Sequence, residues 1–201
     1  MVTLEGPHLR GGKREMTQQS PESALDPIHA GILPGVPKPF FLADGEGEKS
    51  IVFDTMFDIL LTGDETDGQF DVFTSIGNAG DIIPAHLHPY THEIFFVVSG
   101  AVHVWMDDEH GFKDDRLLTA GAFAYVPKNT IHAYRNEAAD SKVLGVSSAG
   151  FGRFFHAMGQ PTPQPGIPDP SRFFAPSIDQ MRAAGEKYGT VFRPDYKFLD
   201  D

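Results

Sequence analysis

The 201-residue chain contains no cysteine, which excludes disulfide bonds, thiolate metal sites and cysteine nucleophiles. No apolar stretch approaches the roughly 20 residues that a membrane-spanning helix needs. The first 26 residues also lack the apolar centre of a secretory signal. We therefore expect a cytoplasmic protein without a membrane partner, and any metal in it must be held by nitrogen and oxygen ligands.

Positive charge is scarce as well. Sixteen Lys and Arg residues face 28 Asp and Glu residues, which gives a formal net charge of -12. A field of this sign repels nucleic acid, so we expect no nucleic-acid partner. With 40% apolar residues, the chain is long enough for one domain with a substantial core.

The pattern along the chain predicts three parts. Residues 1–30 are polar and have no hydrophobic periodicity, which indicates a disordered or loosely ordered arm. Residues 31–150 consist of short β-favouring runs between turn residues, and the lack of alternating long helices favours an all-β antiparallel sandwich or barrel. Residues 151–201 should form a short helix, a Pro-rich wrapping segment and a C-terminal helix.

The C-terminal helix is predicted from a start signal in "SIDQMRAAGEKYG". Ser177 and Gln180 have the spacing of a capping box. Ile178, Met181 and Tyr188 would form its apolar side.

A cluster of histidines stands out in the stretch "GDIIPAHLHPYTHEIFFVVSG". His86 and His88 are two residues apart, so on a strand both side chains leave the same face. Glu93 lies an odd number of residues further on, which would put it on the opposite face of an unbroken strand. A bend or bulge after Pro89 would turn Glu93 back inward and leave His92 pointing the other way.

A further imidazole is available in "GAFAYVPKNTIHAYRN", where His132 begins another strand-like run after a Pro-containing turn. Three neutral imidazoles and one carboxylate around a divalent cation carry a net charge of +1, and an octahedral ion would keep two open positions. Fe, Mn, Co, Ni or Cu would suit such a set. An isolated His-x-His pair, in contrast, is more often structural.

These two stretches resemble the two motifs of the cupin superfamily, in the same order and separated by 20 residues. The resemblance implies a double-stranded β-helix, or jelly-roll barrel. Asn129 replaces the Gly of many cupins, and Asn tolerates the left-handed backbone expected there. The matching positions are Gly80, His86, His88, Glu93 and Gly100 in the first motif and Gly121, Pro127, His132 and Asn136 in the second. Among them, the resemblance implies that one divalent transition metal is held by His86, His88, Glu93 and His132.

Residues 34–198 further resemble the single-cupin quercetin 2,3-dioxygenases, through stretches such as "KPFFLADGEG", "GRFFHAMG" and "EKYGTVFRPDYKF". This resemblance implies a homodimeric dioxygenase that opens the central ring of a flavonol with O2 and releases CO. Glu93 would be both a metal ligand and the general base for the flavonol hydroxyl. His92 departs from the pattern, because an aromatic residue is expected before the metal-binding Glu.

Four aromatic residues lie close to the motifs in sequence and are candidates to line a pocket for a small aromatic substrate, or to pack the barrel. We expect His103 and His156 to be structural, and His8, His29 and His110 to be exposed. The four candidates for the pocket are Phe95, Phe123, Tyr125 and Tyr134.

Two other functions remain open at this point, because a fold does not settle an activity. The first is a metal-dependent isomerase or cyclase that tailors a phenolic or polyketide metabolite without O2. The second is a non-catalytic small-molecule-binding cupin.

Overall fold

The structure, a computed structural model, describes residues 26–198. Within that range the chain is mainly β, with two antiparallel sheets and two short helices, α1 (Arg153–Met158) and α2 (Ile178–Tyr188). The predicted all-β jelly roll with a short C-terminal helical segment is confirmed. The strands are β1 (Glu48–Val52), β2 (Thr55–Leu61), β3 (Phe70–Gly77), β4 (Ile82–Leu87), β5 (Glu93–Ser99), β6 (Ala101–Asp107), β7 (Lys113–Thr119), β8 (Phe123–Val126), β9 (Ile131–Asn136), β10 (Ser141–Ser148), β11 (Gln160–Pro161) and β12 (Val191–Phe192).

From β4 to β10 the chain passes repeatedly between the two sheets, and only β6 and β7 are successive strands of the same sheet. Over the described residues, the larger sheet has the order β11-β1-β2-β3-β10-β5-β8, and the smaller has the order β12-β4-β9-β6-β7. The chain therefore leaves the smaller sheet after β4, enters the larger one at β5 and returns at β6. This crossing places Glu93 on the wall that faces His86 and His132 across one interior.

Period-two alternation explains which side chains fill that interior. In β10 every second residue is buried, and in β6 Val102 and Val104 are buried. His103 and Trp105 lie on the other face of β6, where their rings stack with centroids 4.2 Å apart. The stretch Pro39 to Ala43 is irregular, and Phe41 is fully exposed.

The C-terminal helix begins as the capping pattern predicts. The Ser177 hydroxyl accepts a hydrogen bond from the Gln180 amide, and Gly189 ends the helix in the left-handed conformation. Met181 packs against the core, but Ile178 is 76% exposed. The prediction for Ile178 is wrong, because Ile178 is the first residue of α2 and lies one turn before Met181, where the helix packs against the core. Neither helix of the described chain is long and apolar enough to cross a bilayer.

The predicted arm over residues 1–30 falls mostly on residues 1–25, which lie outside the described part of the chain, as does His8. The end of this segment is a 3-10 turn, Pro27–His29. His29 was expected to be exposed, and this is wrong: it is 1% exposed, and its Nε2 lies 2.8 Å from the carbonyl oxygen of Lys49. His29 is therefore buried with a backbone hydrogen-bond partner inside the fold, although the sequence around it is polar.

Candidate metal centre

Four side chains from the two motifs converge inside the barrel. His86, His88, Glu93 and His132 are all buried, and each offers a ligand atom within 4.8 Å of those of the other three. The Nε2 atoms of His88 and His132 lie 3.2 Å and 3.0 Å from the same carboxylate oxygen, Oε2 of Glu93. The structure thus brings together the whole set that the resemblance implied.

The elements place these groups from both walls. His86 on β4 is the direct antiparallel partner of His132 on β9 in the smaller sheet. His88 lies just beyond the end of β4, and the Asn129 amide donates to its carbonyl oxygen at 2.8 Å. Asn129 has a φ of +66°, the left-handed backbone expected of it.

Glu93 belongs to the opposite wall. It is the first residue of β5 and pairs with Val126 and Ser147 in the larger sheet. The sequence suggested a bend or bulge within one strand, but the chain in fact crosses from one sheet to the other between His88 and Glu93. This crossing, rather than a bulge, turns the carboxylate inward toward the imidazoles.

Backbone carbonyls orient two of the rings. The Nδ1 of His86 lies 2.7 Å from the Pro84 oxygen, and the Nδ1 of His132 lies 3.0 Å from the Thr130 oxygen. Because a carbonyl oxygen only accepts, each Nδ1 carries the hydrogen and each Nε2 keeps its lone pair. Histidines that bind metals are commonly held in this way through their other ring nitrogen.

The atoms that face the centre lack hydrogen-bond partners. Nε2 of His88, Oε2 of Glu93 and Nε2 of His132 are buried without one. Lone pairs that face each other in this way repel unless a cation or proton lies among them. Ligand atoms about 2.1 Å from an ion and at right angles to each other are about 3.0 Å apart, which is close to the spacings seen here. The donor set therefore fits a divalent metal ion, and the buried group could bind one.

Burial and charge shape the electrostatics of the centre. Burial, reinforced by His132 and His88, holds the pKa of His86 well below its usual value, which keeps this imidazole neutral. Burial alone would raise the pKa of Glu93, but the contacts with His88 and His132 outweigh it and hold that pKa well below the usual range. The centre thus combines a neutral imidazole at His86 with an ionised carboxylate at Glu93.

An apolar cavity adjoins the centre. His86 and Glu93 form part of its wall, and Ser75 and Tyr134 are the other polar groups among the described lining residues. Side chains of α1 and the segment before it close one side. The apolar lining residues include Phe57, Phe73, Phe95, Phe151, Phe154 and Phe155.

The four aromatic pocket candidates divide into two pairs. Phe95 and Tyr134 line the cavity and are 5% and 8% exposed. Phe123 and Tyr125 do not line it and are 57% and 48% exposed. The strand register explains why Phe123 and Tyr125 do not line the cavity. Phe95 pairs with Ala124, so the neighbours of Ala124 on β8 must point to the outer face.

The remaining histidines lie apart from the centre. His92 points to the outer side, where its Nδ1 lies 2.8 Å from the Tyr125 hydroxyl. His103 contacts Asp115 on the outer face of the smaller sheet, and His110 is exposed. His156 packs against His29 and Glu48, away from the cavity.

The sequence reasoning missed the contribution of the C-terminal segment. Thr190 Oγ1 lies 3.2 Å from Nδ1 of His88, with the Gly189 carbonyl oxygen 3.3 Å from the same nitrogen. Phe192 pairs with His86 through β12 and lines the cavity. Gly189 could be predicted from the sequence as the end of the helix. No short sequence pattern predicts the contact between Thr190 and His88, because the two residues are 102 positions apart.

Comparison with known proteins agrees with this fold. Residues 75–146, which contain both motifs, match the family model described as "Cupin domain". Both motifs thus lie in the part of the chain that is similar to the cupin domain.

Two curated relatives carry the same name. Quercetin 2,3-dioxygenase of Bacillus subtilis (strain 168) is 36% identical over 130 residues, which cover 64% of this chain and 37% of that protein. Quercetin 2,3-dioxygenase of Aspergillus japonicus is 23% identical over 127 residues, or 61% of this chain and 36% of that protein. The matched region thus spans little more than a third of the length of either relative.

Among solved structures, KdgF from Halomonas sp. overlaps 56% of this chain and 94% of its own, with a TM-score of 0.48 and 22% identity. Oxalate decarboxylase from Bacillus subtilis overlaps 58% of this chain and 32% of its own, with a TM-score of 0.48 and 15% identity.

Proposed function

We propose that this protein is a metal-dependent dioxygenase of the quercetinase type, which opens the central ring of a flavonol with O2 and releases CO. The observation that carries the proposal is one ionised carboxylate among three imidazoles at the wall of an apolar cavity. The similarity to two quercetin 2,3-dioxygenases supports the choice of reaction. The homodimer and the cytoplasmic location stay predictions.

His86, His88, Glu93 and His132 would hold the ion, since one potential ligand atom of each lies within 4.8 Å of the others. Three of these residues, His88, Glu93 and His132, have such an atom buried without a hydrogen-bond partner. A divalent transition metal there would supply a Lewis acid for the flavonol oxygens and a route for electrons to dioxygen. A site charge of +1 becomes neutral when a flavonolate binds, which lowers the cost of burying that anion.

Glu93 would accept the proton of the flavonol hydroxyl. It is the only carboxylate among the described residues that line the cavity. Its pKa is held down by His88 and His132, so in its present position it is a weak base. We infer that the side chain moves away from these imidazoles as it takes the proton, because that movement raises its basicity.

Tyr134 would remain a neutral phenol throughout. Burial raises its pKa to about 12, despite a hydrogen bond to Ser75, and the charge of Glu93 adds to the rise. A neutral phenol on the cavity wall can donate a hydrogen bond to a substrate oxygen, while the apolar side chains around it exclude water. Phe95 packs against this ring, with centroids 5.8 Å apart, and fixes its position.

The decisive experiment is aerobic incubation of the fully metallated protein with quercetin. We expect loss of the flavonol absorbance, with one CO released for each O2 consumed. Glu93→Gln should keep much of its metal but lose turnover by about 100-fold or more, since a positioned base contributes roughly 10² to 10⁴ in rate. Phe123→Leu, on the outer face, is the matched control and should retain the activity.

Other outcomes would contradict the proposal. Flavonol conversion without oxygen uptake would favour an isomerase or cyclase, and tight flavonol binding by metal-free protein without conversion would favour a binding protein. Loss of metal from Glu93→Gln, with no separate loss of turnover per bound ion, would reduce Glu93 to a ligand only.

A further inference from the structure

A second group of metal-ligating side chains lies outside the cavity. His29 comes from the 3-10 turn Pro27–His29, Glu48 is the first residue of β1, and His156 lies on α1. Their potential ligand atoms lie within 4.8 Å of one another. His29 and Glu48 are each 1% exposed, and the His156 side chain is 12% exposed. Three segments that are distant in sequence thus bring two imidazoles and a carboxylate to one buried point.

The orientation of His29 leaves a lone pair unused. Its Nε2 lies 2.8 Å from the Lys49 carbonyl oxygen and must carry the hydrogen, so Nδ1 is an acceptor. Burial lowers the pKa of this imidazole, which keeps it neutral. Nδ1 is nevertheless buried without a hydrogen-bond partner. A buried acceptor without a partner is unfavourable, so the fold retains an atom that a cation would satisfy.

His156 repeats the pattern of the first centre. Its Nδ1 is buried without a hydrogen-bond partner, and its Nε2 faces Glu48, with 3.0 Å between Nε2 and Oε2. The corresponding distance between His132 and Glu93 is also 3.0 Å. The ring centroids of His29 and His156 are 4.6 Å apart, so both imidazoles border the same small space.

Arg153 is the group that argues against a cation here, because its Nη1 lies 2.6 Å from Oε2 of Glu48. However, its Nη2 also lies 2.8 Å from Asp64 Oδ2, so one guanidinium faces two carboxylates. This local set has a formal charge of -1, and Lys49 is matched separately by Asp58 at 3.5 Å. A carboxylate has about four lone-pair directions, so the guanidinium does not exhaust Glu48.

We propose that His29, Glu48 and His156 form a second divalent-cation site, distinct from the cavity centre and suited to a nitrogen- and oxygen-binding ion such as Zn²⁺. With a dication bound, the set including Asp64 and Arg153 carries +1. The guanidinium makes this site weaker than the first centre, where no cationic side chain contacts the carboxylate among the described residues. Its effect would be to tie the 3-10 turn, β1 and α1 together.

The test is zinc stoichiometry on the full chain. The protein is stripped with a chelator, titrated with Zn²⁺ by calorimetry, and measured by elemental analysis after gel filtration. We expect about two equivalents for the unmodified protein and about one for His29→Gln or His156→Gln. His110→Gln, an exposed histidine outside both groups, should still bind about two. His132→Ala should lose the cavity ion and keep the second one.

The competing account is a metal-free network of ion pairs around Glu48. It predicts one equivalent in the unmodified protein and an unchanged stoichiometry in His156→Gln, and either result would overturn the proposal. Melting temperatures with and without Zn²⁺ add a second readout in the His132→Ala background. There, zinc should raise the melting temperature, and the further change His156→Gln should abolish that rise. If His132→Ala does not fold, the difference in zinc stoichiometry between the unmodified protein and His29→Gln tests the proposal.

Discussion

At the scale of single residues, the three imidazoles of the cavity centre are supported in two different ways. His86 and His132 each place Nδ1 against a carbonyl oxygen two residues earlier in their own segment. His88 has no such local partner among its hydrogen bonds and is oriented by Gly189 and Thr190 instead. One candidate ligand of the centre therefore depends on a C-terminal segment outside residues 75–146, which match the cupin domain.

Removing the Thr190 hydroxyl should weaken metal binding without unfolding the protein. Thr190→Val keeps the branched shape at this buried position but removes the group that contacts His88. We expect metal affinity to fall about 10-fold, the lower end of the range for groups that orient a metal ligand. Competition against a chelator of known affinity measures this.

Thr190→Ser is the matched control, because it keeps the hydroxyl and should stay within about threefold of the unmodified protein. Equal affinities for the Val and Ser variants would show that the Gly189 carbonyl alone orients His88.

At the scale of elements, the central strand β10 determines how closely the aromatic core packs. Gly145 pairs with Phe73 on one side and Phe95 on the other. A Cβ at this position would lie 2.3 Å from atoms of the Phe73 ring, far inside van der Waals contact. The missing side chain leaves room for Phe73, which packs against Phe155 of α1 with centroids 4.5 Å apart.

Gly145→Ala should therefore destabilise the protein by about 1–3 kcal/mol, the usual cost of overpacking a core. Urea unfolding measures the change. Phe73→Leu removes the ring atoms that would clash, so the double variant should be more stable than the sum of the two single changes predicts. Simple additivity of the two free-energy changes would mean that the cost of Gly145→Ala does not come from the Phe73 ring.

At the scale of the whole molecule, folding couples to pH through a buried carboxylate that joins two loops. Asp71 is fully buried, and its Oδ1 accepts a hydrogen bond from the Gly63 amide at 2.8 Å. Burial raises its pKa from 3.8 to about 6, although amides of Gly152, Gly63 and Phe151 act in the opposite direction. The folded chain thus holds this proton more tightly than the unfolded chain does.

The stability that Asp71 contributes is consequently complete below about pH 4 and is lost as the pH rises through about 6. Asp71→Asn removes this titration. Relative to the unmodified protein, the free energy of unfolding of Asp71→Asn should increase by on the order of 2–3 kcal/mol from pH 4 to pH 7.5. One pKa unit corresponds to about 1.4 kcal/mol.

Urea unfolding of both proteins at the two pH values measures this difference. Asp44→Asn, at a carboxylate that is 97% exposed, is the control and should show no such change. A constant difference between Asp71→Asn and the unmodified protein would contradict the raised pKa.

Features that depend on neighbouring residues could be predicted from the sequence. The period-two spacing of His86 and His88, the left-handed turn at Asn129 and the Ser177 cap are local, because strand periodicity and turn or capping hydrogen bonds span only a few residues. The two motifs are also local patterns, and the jelly-roll barrel and the proposed ligand set were implied by their resemblance to the cupin motifs.

Contacts between distant segments were decided only by the tertiary structure. The outward direction of Phe123 and Tyr125 follows from their register against β5, and the support of His88 by Thr190 follows from where the C-terminal segment returns. His29 looked like part of a polar arm, yet it is buried beside a carboxylate and another imidazole. The sequence by itself determined the barrel motifs and their spacing. Which faces pack together depends on the crossing of whole strands between sheets, and no short stretch of residues encodes that.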